Sequence, residues 1–152
     1  MKILIVGGTG FIGKTTVAFL QGRGHHVSAW VRNLEKATDM LGDGVELIST
    51  IKNADDLKQH IDQMDVVINL AGRPLAAVRW TEKKKSEFYE SRVNVTNLIS
   101  DAISMCENPP KVLISASAVG IYGNGGSVAL DEESDLGQDY LSELCSQWEK
   151  AA

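Results

Sequence analysis

An α/β fold built on a doubly wound parallel sheet is what this sequence predicts, and three observations predict it. The chain opens on a short apolar run, Ile3–Val6, followed at once by glycines spaced G-x-x-G-x-x-G (Gly7, Gly10, Gly13) and then by a helical pattern. Strand and helix signals alternate from there along the whole sequence. The strand signals are short and apolar throughout, the pattern of a sheet covered on both faces. Right-handed crossovers arrange such units in the strand order 3-2-1-4-5, a three-layer αβα Rossmann sheet.

The elements follow in order. The first strand is Ile3–Val6, and the first helix runs from about Ile12 to Gln21, stopping at Gly22 and Gly24. The second strand is Val27–Val31. Asn33 is a plausible N-cap of the second helix, which ends at Gly42 or Gly44. The third strand is Val45–Ile48, and Asn53 or Asp55 caps a helix carrying Leu57 and Ile61. The fourth strand is Val66–Leu70. A long helix runs from about Thr81 to Met105, its apolar side made by Phe88, Val93, Val95, Leu98, Ile99, Ala102 and Ile103, and Pro109 and Pro110 close it. The fifth strand is Val112–Ser115, and a last helix from about Tyr140 carries Leu141, Leu144 and Trp148. There is no internal repeat and no linker, so residues 1–152 read as one domain.

Composition narrows the function. With 152 residues, 43% hydrophobic and 23% charged, the chain is long enough for one domain with a real core. A net charge of −5 argues against a nucleic-acid surface. No apolar run approaches the ~20 residues of a membrane span, and the N-terminal apolar stretch is too short for a signal peptide. Cys106 and Cys145 stand alone and read as reduced thiols of a cytoplasmic protein. His25, His26 and His60 share no metal-ligand spacing with them, so no metal site is expected. The run Lys83-Lys84-Lys85 lies between Glu82 and Glu87 and reads as a solvated helix face.

Ligands of such sheets bind outside the carboxyl ends of the strands. After the first strand, Gly7 and Gly10 permit a tight turn with close backbone approach, and Gly13 lets the helix pack on the sheet. The helix N-terminus then offers free N–H groups and partial positive charge to a phosphate or pyrophosphate. A ligand-free glycine turn is the bland alternative, but it needs one glycine and not three at this spacing. After the second strand comes Arg32, 19 residues past Gly13, where an acid would bind the ribose hydroxyl of NAD. An arginine there attracts a 2′-phosphate, so NADP is favoured and NAD remains possible. The alternative is a surface arginine that binds nothing. After the fourth strand, Leu70, Ala71 and Gly72 leave room beside an adenosine ribose, although a tight turn would also explain Gly72. After the fifth strand, Ser115 and Ser117 can donate to a carbonyl substrate or can satisfy local backbone groups.

The segments GGTGFIG, NLAG, RVNVTNL and SASAVGIYG, in this order and spacing, resemble the short-chain dehydrogenase/reductase superfamily in its extended, epimerase-like branch. NLAGRPLAAVRW, SRVNVT, PPKVLISASAVGIYG and the closing WEKAA narrow the likeness to an atypical NAD(P)-dependent epimerase/dehydratase-like subfamily, often labelled nucleoside-diphosphate-sugar epimerase. The likeness covers essentially the whole chain and is strong for family and weak for substrate. It implies that Gly7, Thr9, Gly10, Phe11, Ile12 and Gly13 cradle the cofactor pyrophosphate, that Arg32 meets the adenosine 2′-phosphate, and that Leu70, Ala71 and Gly72 line the adenosine side. It places Glu87 and Arg92 near the cofactor, where a helical ion pair between them is the alternative. It makes Asn94 the active-site asparagine that supports a water, with a polar break in a buried helix face as the alternative. It makes Ser117 the better match to the catalytic serine, Ser115 second, and Tyr140 the candidate acid.

The pattern breaks in two places. Typical members carry Tyr-x-x-x-Lys on the helix after the fifth strand, the lysine lowering the tyrosine pKa. Here Tyr140 is followed four residues later by Leu144, and the neighbouring register gives Leu141 and Cys145. Without the lysine a tyrosine of pKa ~10 is only about a thousandth ionised at pH 7. Tyr122, in the Tyr-Gly pair of many relatives, has no lysine either. The C-terminal substrate lobe of the branch is also absent from this sequence, and an unfinished sheet edge predicts self-association into a homodimer. Two functions are therefore expected to compete. One is an NADPH-selective oxidoreductase domain moving hydride to or from a carbonyl or nucleotide-sugar-like small molecule. The other is a catalytically silent NADPH-binding sensor or interaction module.

Overall fold

A computed structural model describes residues 1–76 and 79–152. Five strands, β1 (Lys2–Val6), β2 (His26–Trp30), β3 (Glu46–Ile48), β4 (Val66–Asn69) and β5 (Val112–Ser115), form one parallel sheet in the order β3-β2-β1-β4-β5. This is the expected doubly wound topology. The helices are α1 (Phe11–Gly22), α2 (Leu34–Leu41), α3 (Ala54–Ile61), α4 (Glu82–Tyr89), α5 (Val95–Ser104) and α6 (Tyr140–Lys150). Strand ends differ from the sequence reading by a residue: β2 begins at His26 and ends at Trp30, β3 starts at Glu46, and β4 stops at Asn69. Among the described residues no helix is long and apolar enough to cross a membrane.

The strands are apolar on both faces because each face has its own helices. Ile3, Ile5, Val27, Ala29 and Ile68 pack with Val17 of α1 and Ala37 of α2. Leu4, Val6 and Val67 pack on the other side with Leu57 and Ile61 of α3 and Ile99 and Ala102 of α5. Side chains alternate along β1 between the two clusters, as the period of two requires. Each fully buried Ile or Leu contributes about 1.5–3 kcal/mol. A third cluster, Phe88, Val93, Leu144 and Trp148, fastens α6 to α4 and to the turn of residues 90–94 that follows it.

Helix starts follow local chemistry. Asn33 accepts from the Lys36 N–H, Asn53 from Asp56, Thr81 from Lys84 and Asp139 from Ser142, so α2, α3, α4 and α6 each begin with a side-chain cap. Asn53 rather than Asp55 therefore caps α3. The long helix expected from Thr81 to Met105 is one continuous rod but not a uniform one. Residues Glu90–Asn94 form a π turn between α4 and α5. Such a bulge inserts a residue and rotates the side chains around it, and apolar spacing alone does not reveal it. A 3₁₀ turn at Val119–Tyr122, also unanticipated, follows β5.

One buried polar hub ties the layers together. Asn69 at the end of β4 and Thr96 on α5 are both fully buried. Asn69 Nδ2 donates to Thr96 Oγ1 at 2.8 Å, Trp148 Nε1 of α6 donates to the same oxygen at 3.0 Å, and that hydroxyl donates to the Arg92 carbonyl at 2.7 Å. Asn69 Oδ1 accepts from the Ala71 N–H at 3.1 Å. Among the described residues every buried side-chain nitrogen and oxygen has a partner. Replacing Thr96 by the similarly shaped valine strands two buried donors. The expected loss is about 1–3 kcal/mol, read by urea denaturation with an unchanged slope. A loss within experimental error would show that the hub does not hold α6 and β4 together.

Candidate functional site

The register of the sheet builds the site. Ile48, Trp30, Val6, Asn69 and Ser115 are partners in one row across all five strands. Everything that follows them leaves the same edge at the same height. Gly7–Gly13, Val31–Asn33, Leu70–Arg73 and Ala116–Ala118 are thereby gathered along one ledge.

The glycine turn is built for close approach. Gly7 has φ +84°, a left-handed conformation, and a side chain there would run into the Leu70 carbonyl oxygen at 2.5 Å. The turn closes by a hydrogen bond from the Gly10 N–H to the Gly7 carbonyl at 2.9 Å. A side chain on Gly13 would collide with Gly7 and Gly8, so Gly13 sets how closely α1 approaches the turn. In contrast to its capped neighbours, α1 starts at Gly10 with no side-chain cap and no acidic residue in its first turn. The opening N–H groups of α1 are thus left pointing along the ledge, beside Thr9 and the exposed side chains of Phe11 and Ile12.

Arg32 is exposed between the end of β2 and the Asn33 cap, level with the glycine turn, and among the described residues no ion pair engages it. Leu70 continues the β1–β4 ladder, its N–H donating to the Val6 carbonyl at 2.8 Å, and Ala71 is pinned by Asn69. Gly72 gives way to Arg92: a side chain at Gly72 would lie 3.1 Å from the guanidinium carbon. The π turn carries Arg92 into this position. Its guanidinium donates to the Arg73 carbonyl at 2.9 Å and stacks over Trp148 at 5.4 Å, and burial pushes its pKa down from the usual arginine value.

The structure separates other residues that the sequence grouped. Glu87 and Arg92 are not an ion pair. Glu87 binds Arg73 at 2.6 Å and Lys84 at 2.7 Å, and the Lys84 hydrogen bond, followed by the Arg73 charge, holds its carboxyl below the ordinary glutamate range. Lys84 and Lys85 of the lysine run are tied to Glu87 and Glu82. Asn94, at the end of the π turn, is exposed and interrupts no buried face. Ser115 belongs to the central row, its hydroxyl 3.4 Å from Asn69 Nδ2, whereas the Ser117 hydroxyl donates to Glu149 on α6.

Tyr140 is engaged elsewhere. Its hydroxyl donates to the Lys85 carbonyl at 2.9 Å, its ring packs edge-on to Trp80, and burial raises its pKa above the usual tyrosine value. Leu144, where a partner lysine would stand, is in the third apolar cluster. Leu141 and Cys145 flank Gly120, and burial pushes the Cys145 thiol up. The α6 helix therefore presents neither a free tyrosine in its first turn nor a lysine four residues after Tyr140 or Leu141. Sequence reasoning missed Thr96 and Glu149, and read Trp148 only as an apolar residue of the last helix. The available signal was Thr96 itself, a polar residue three positions from Val93 and from Ile99 on the buried face.

The chain matches the NAD dependent epimerase/dehydratase family over residues 3–146. It belongs to that family. It is 36% identical over 154 residues to the Arabidopsis thaliana "Epimerase family protein SDR39U1 homolog, chloroplastic", covering all of this chain and 44% of that protein. It is 36% identical over 151 residues to the epimerase family protein YfhF of Bacillus subtilis, covering 99% of this chain and 48% of that one. Among solved structures it resembles human epimerase family protein SDR39U1 with NADPH, at TM-score 0.81 and 31% identity over 99% of this chain and 48% of the human one. A UDP-N-acetylglucosamine 4-epimerase from Bacillus cereus shares the fold at TM-score 0.77, 24% identity and 49% of its length. The chain thus spans a little under half the length of the family relatives it matches.

Restoring the family's lysine tests how firmly α6 is committed to packing. Leu144→Lys places an unpaired cation among Phe88, Val93 and Trp148, and about 3–5 kcal/mol of stability should be lost in chemical denaturation. Near-wild-type stability would mean that α6 has room for the Tyr-x-x-x-Lys arrangement after all.

Proposed function

We propose that this chain binds NADPH along the ledge, as the dinucleotide-binding part of an epimerase-family oxidoreductase. The observation that carries this reading is the pairing of a glycine turn that tolerates no side chain at Gly7 or Gly13 with the uncapped N-terminus of α1. Thr9, Phe11 and Ile12 would meet the pyrophosphate through backbone N–H groups, satisfying donors that nothing else caps, and Gly10, whose own N–H closes the turn onto Gly7, would leave room for it. Arg32 would meet the 2′-phosphate by charge-assisted hydrogen bonds, which favours NADP over NAD. Leu70, Ala71 and Gly72 would face the adenosine ribose, with Arg92 behind them as a fixed cation and Glu87 orienting the loop through Arg73. The bound NADPH of the human relative supports the same choice.

The nicotinamide supplies or accepts hydride when bound. The chain's own part is to orient a carbonyl or nucleotide-sugar-like substrate with Ser117, or Ser115, and Asn94. A second reading, a catalytically silent NADPH-binding module, is favoured by one observation. The Tyr140 hydroxyl is committed to a backbone carbonyl and Leu144 replaces the lysine that would lower its pKa.

Calorimetric titration of the chain with NADPH and NADH tests the binding. Micromolar NADPH affinity is expected, falling roughly tenfold to a hundredfold in Arg32→Asp, while NADH affinity holds or rises. Binding of neither nucleotide, or a preference for NADH in the wild type, would contradict the proposal. Consumption of NADPH with a panel of aldehydes, ketones and nucleotide-sugars would then separate the oxidoreductase from the silent module.

A further inference from the structure

Two consecutive residues of the π turn at Glu90–Asn94 grip one residue of the loop after β4. Ser91 Oγ accepts from the Arg73 N–H at 3.0 Å, and the Arg92 guanidinium donates to the Arg73 carbonyl at 2.9 Å. Both polar groups of the Arg73 backbone are thereby engaged by side chains 18 and 19 residues away. Each partner is itself set. The Ser91 hydroxyl gives its single proton to the Phe88 carbonyl at 3.0 Å, so it meets Arg73 only as an acceptor. Arg92 Nη1 lies 3.5 Å from the same carbonyl and 3.4 Å from Ser91 Oγ, which joins the two residues. The Arg92 carbonyl accepts from Thr96 and so ties the pair to the buried hub. The loop suits such a grip. Arg73 precedes Pro74, and a residue before proline is driven into extended backbone, where its N–H and C=O have no helical partners. Two residues earlier the Ala71 N–H is held by Asn69.

We propose that Ser91 is a positioning residue for the nucleotide site. With Arg92 it closes a clamp on the Arg73 backbone and holds Leu70–Arg73 against the glycine turn. This role rests on the reading of the ledge as an NADPH site. The contact it protects is close: a Cβ on Gly7 would stand 2.5 Å from the Leu70 carbonyl oxygen and 3.0 Å from the Ala71 nitrogen. A loop free to swing away from Gly7 must be ordered again when the nucleotide binds, and that ordering is subtracted from affinity. A clamped loop is already in place. Ser91 needs no contact with the ligand, because it acts through the backbone of Arg73. The π turn thereby has a use beyond carrying Arg92: it sets two neighbouring side chains, one acceptor and one donor, on the same residue of the loop.

Ser91→Ala is the test, because Ser91 acts only through Arg73 whereas Arg92 would also feel the charge of the ligand. Two variants accompany it. Ser91→Thr keeps the hydroxyl, and Ser86→Ala removes a hydroxyl of α4 that is bonded to Glu90 and not to the loop. Amide hydrogen exchange at Arg73 in the free chain reads the clamp, and calorimetric titration with NADPH reads its use. In Ser91→Ala the Arg73 amide should exchange roughly tenfold faster, and NADPH affinity should fall roughly threefold to tenfold, the range of one lost hydrogen bond. Ser91→Thr should restore both, and Ser86→Ala should change neither. Exchange at Arg73 that is unaltered in Ser91→Ala would overturn the clamp. Faster exchange with unchanged NADPH affinity, or an equal loss of affinity in Ser86→Ala, would overturn its role in the site. A wild-type chain that binds no NADPH would overturn the ledge reading and the role of Ser91 with it, while exchange at Arg73 would still report the clamp itself.

Discussion

The side chain of Asn69 is the constraint on which the rest of the arrangement depends. It stands in the row that crosses all five strands, next to Val6 and Ser115. A fully buried amide has no water to fall back on, so each of its bonds must be made inside the protein. Its donors fix Thr96 and so the height of α5 against the sheet. Its acceptor holds the Ala71 N–H and so the loop that presses on the glycine turn. Thr96 in turn engages Trp148, which brings α6 to the same level. The glycine turn, the β4 loop and the last helix are thereby set relative to one another by one polar cluster.

Much of this was legible in the sequence, and the reasons are physical. A strand that is apolar on both faces can only be covered on both faces, so alternation with helices fixed the layer structure and the strand order. The glycines at 7, 10 and 13 mark positions where a Cβ does not fit, a constraint that survives without coordinates. Asn33 and Asn53 were readable as caps because their side chains act within three residues. The π turn was not readable, because an added residue changes which side chains face inward without changing the apolar composition. The alternative reading of Glu87 and Arg92 as an ion pair fails because each is engaged elsewhere, Glu87 by Arg73 and Lys84 and Arg92 by the Arg73 carbonyl. The fate of Tyr140 was equally hidden: its partner, the Lys85 carbonyl, is 55 residues away, and no local pattern announces it. Ser115 and Ser117 differ by two positions but face Asn69 and Glu149 respectively, a distinction that only the bend after β5 makes.

The contrast between the two ends of the ledge bears on function. At the glycine end, donors and a cation are exposed and unspent: the start of α1 and Arg32. At the β5 end the polar groups are largely consumed, Tyr140 by a carbonyl and Ser117 by a carboxylate. Two surface depressions, on α3 beside Lys58 and along α6 beside Ser142, are lined by no residue of the glycine turn and not by Arg32. Nucleotide binding is therefore the property these residues are best arranged to provide.

The most direct measurement is an amide chemical-shift map of the 152-residue chain during NADPH titration. The account predicts that the amides of Gly7–Gly13, Val31–Asn33 and Leu70–Gly72 move together with one binding curve, because one row of the sheet presents all three segments. Shifts confined to α3 or α6, or separate curves for the three segments, would contradict it.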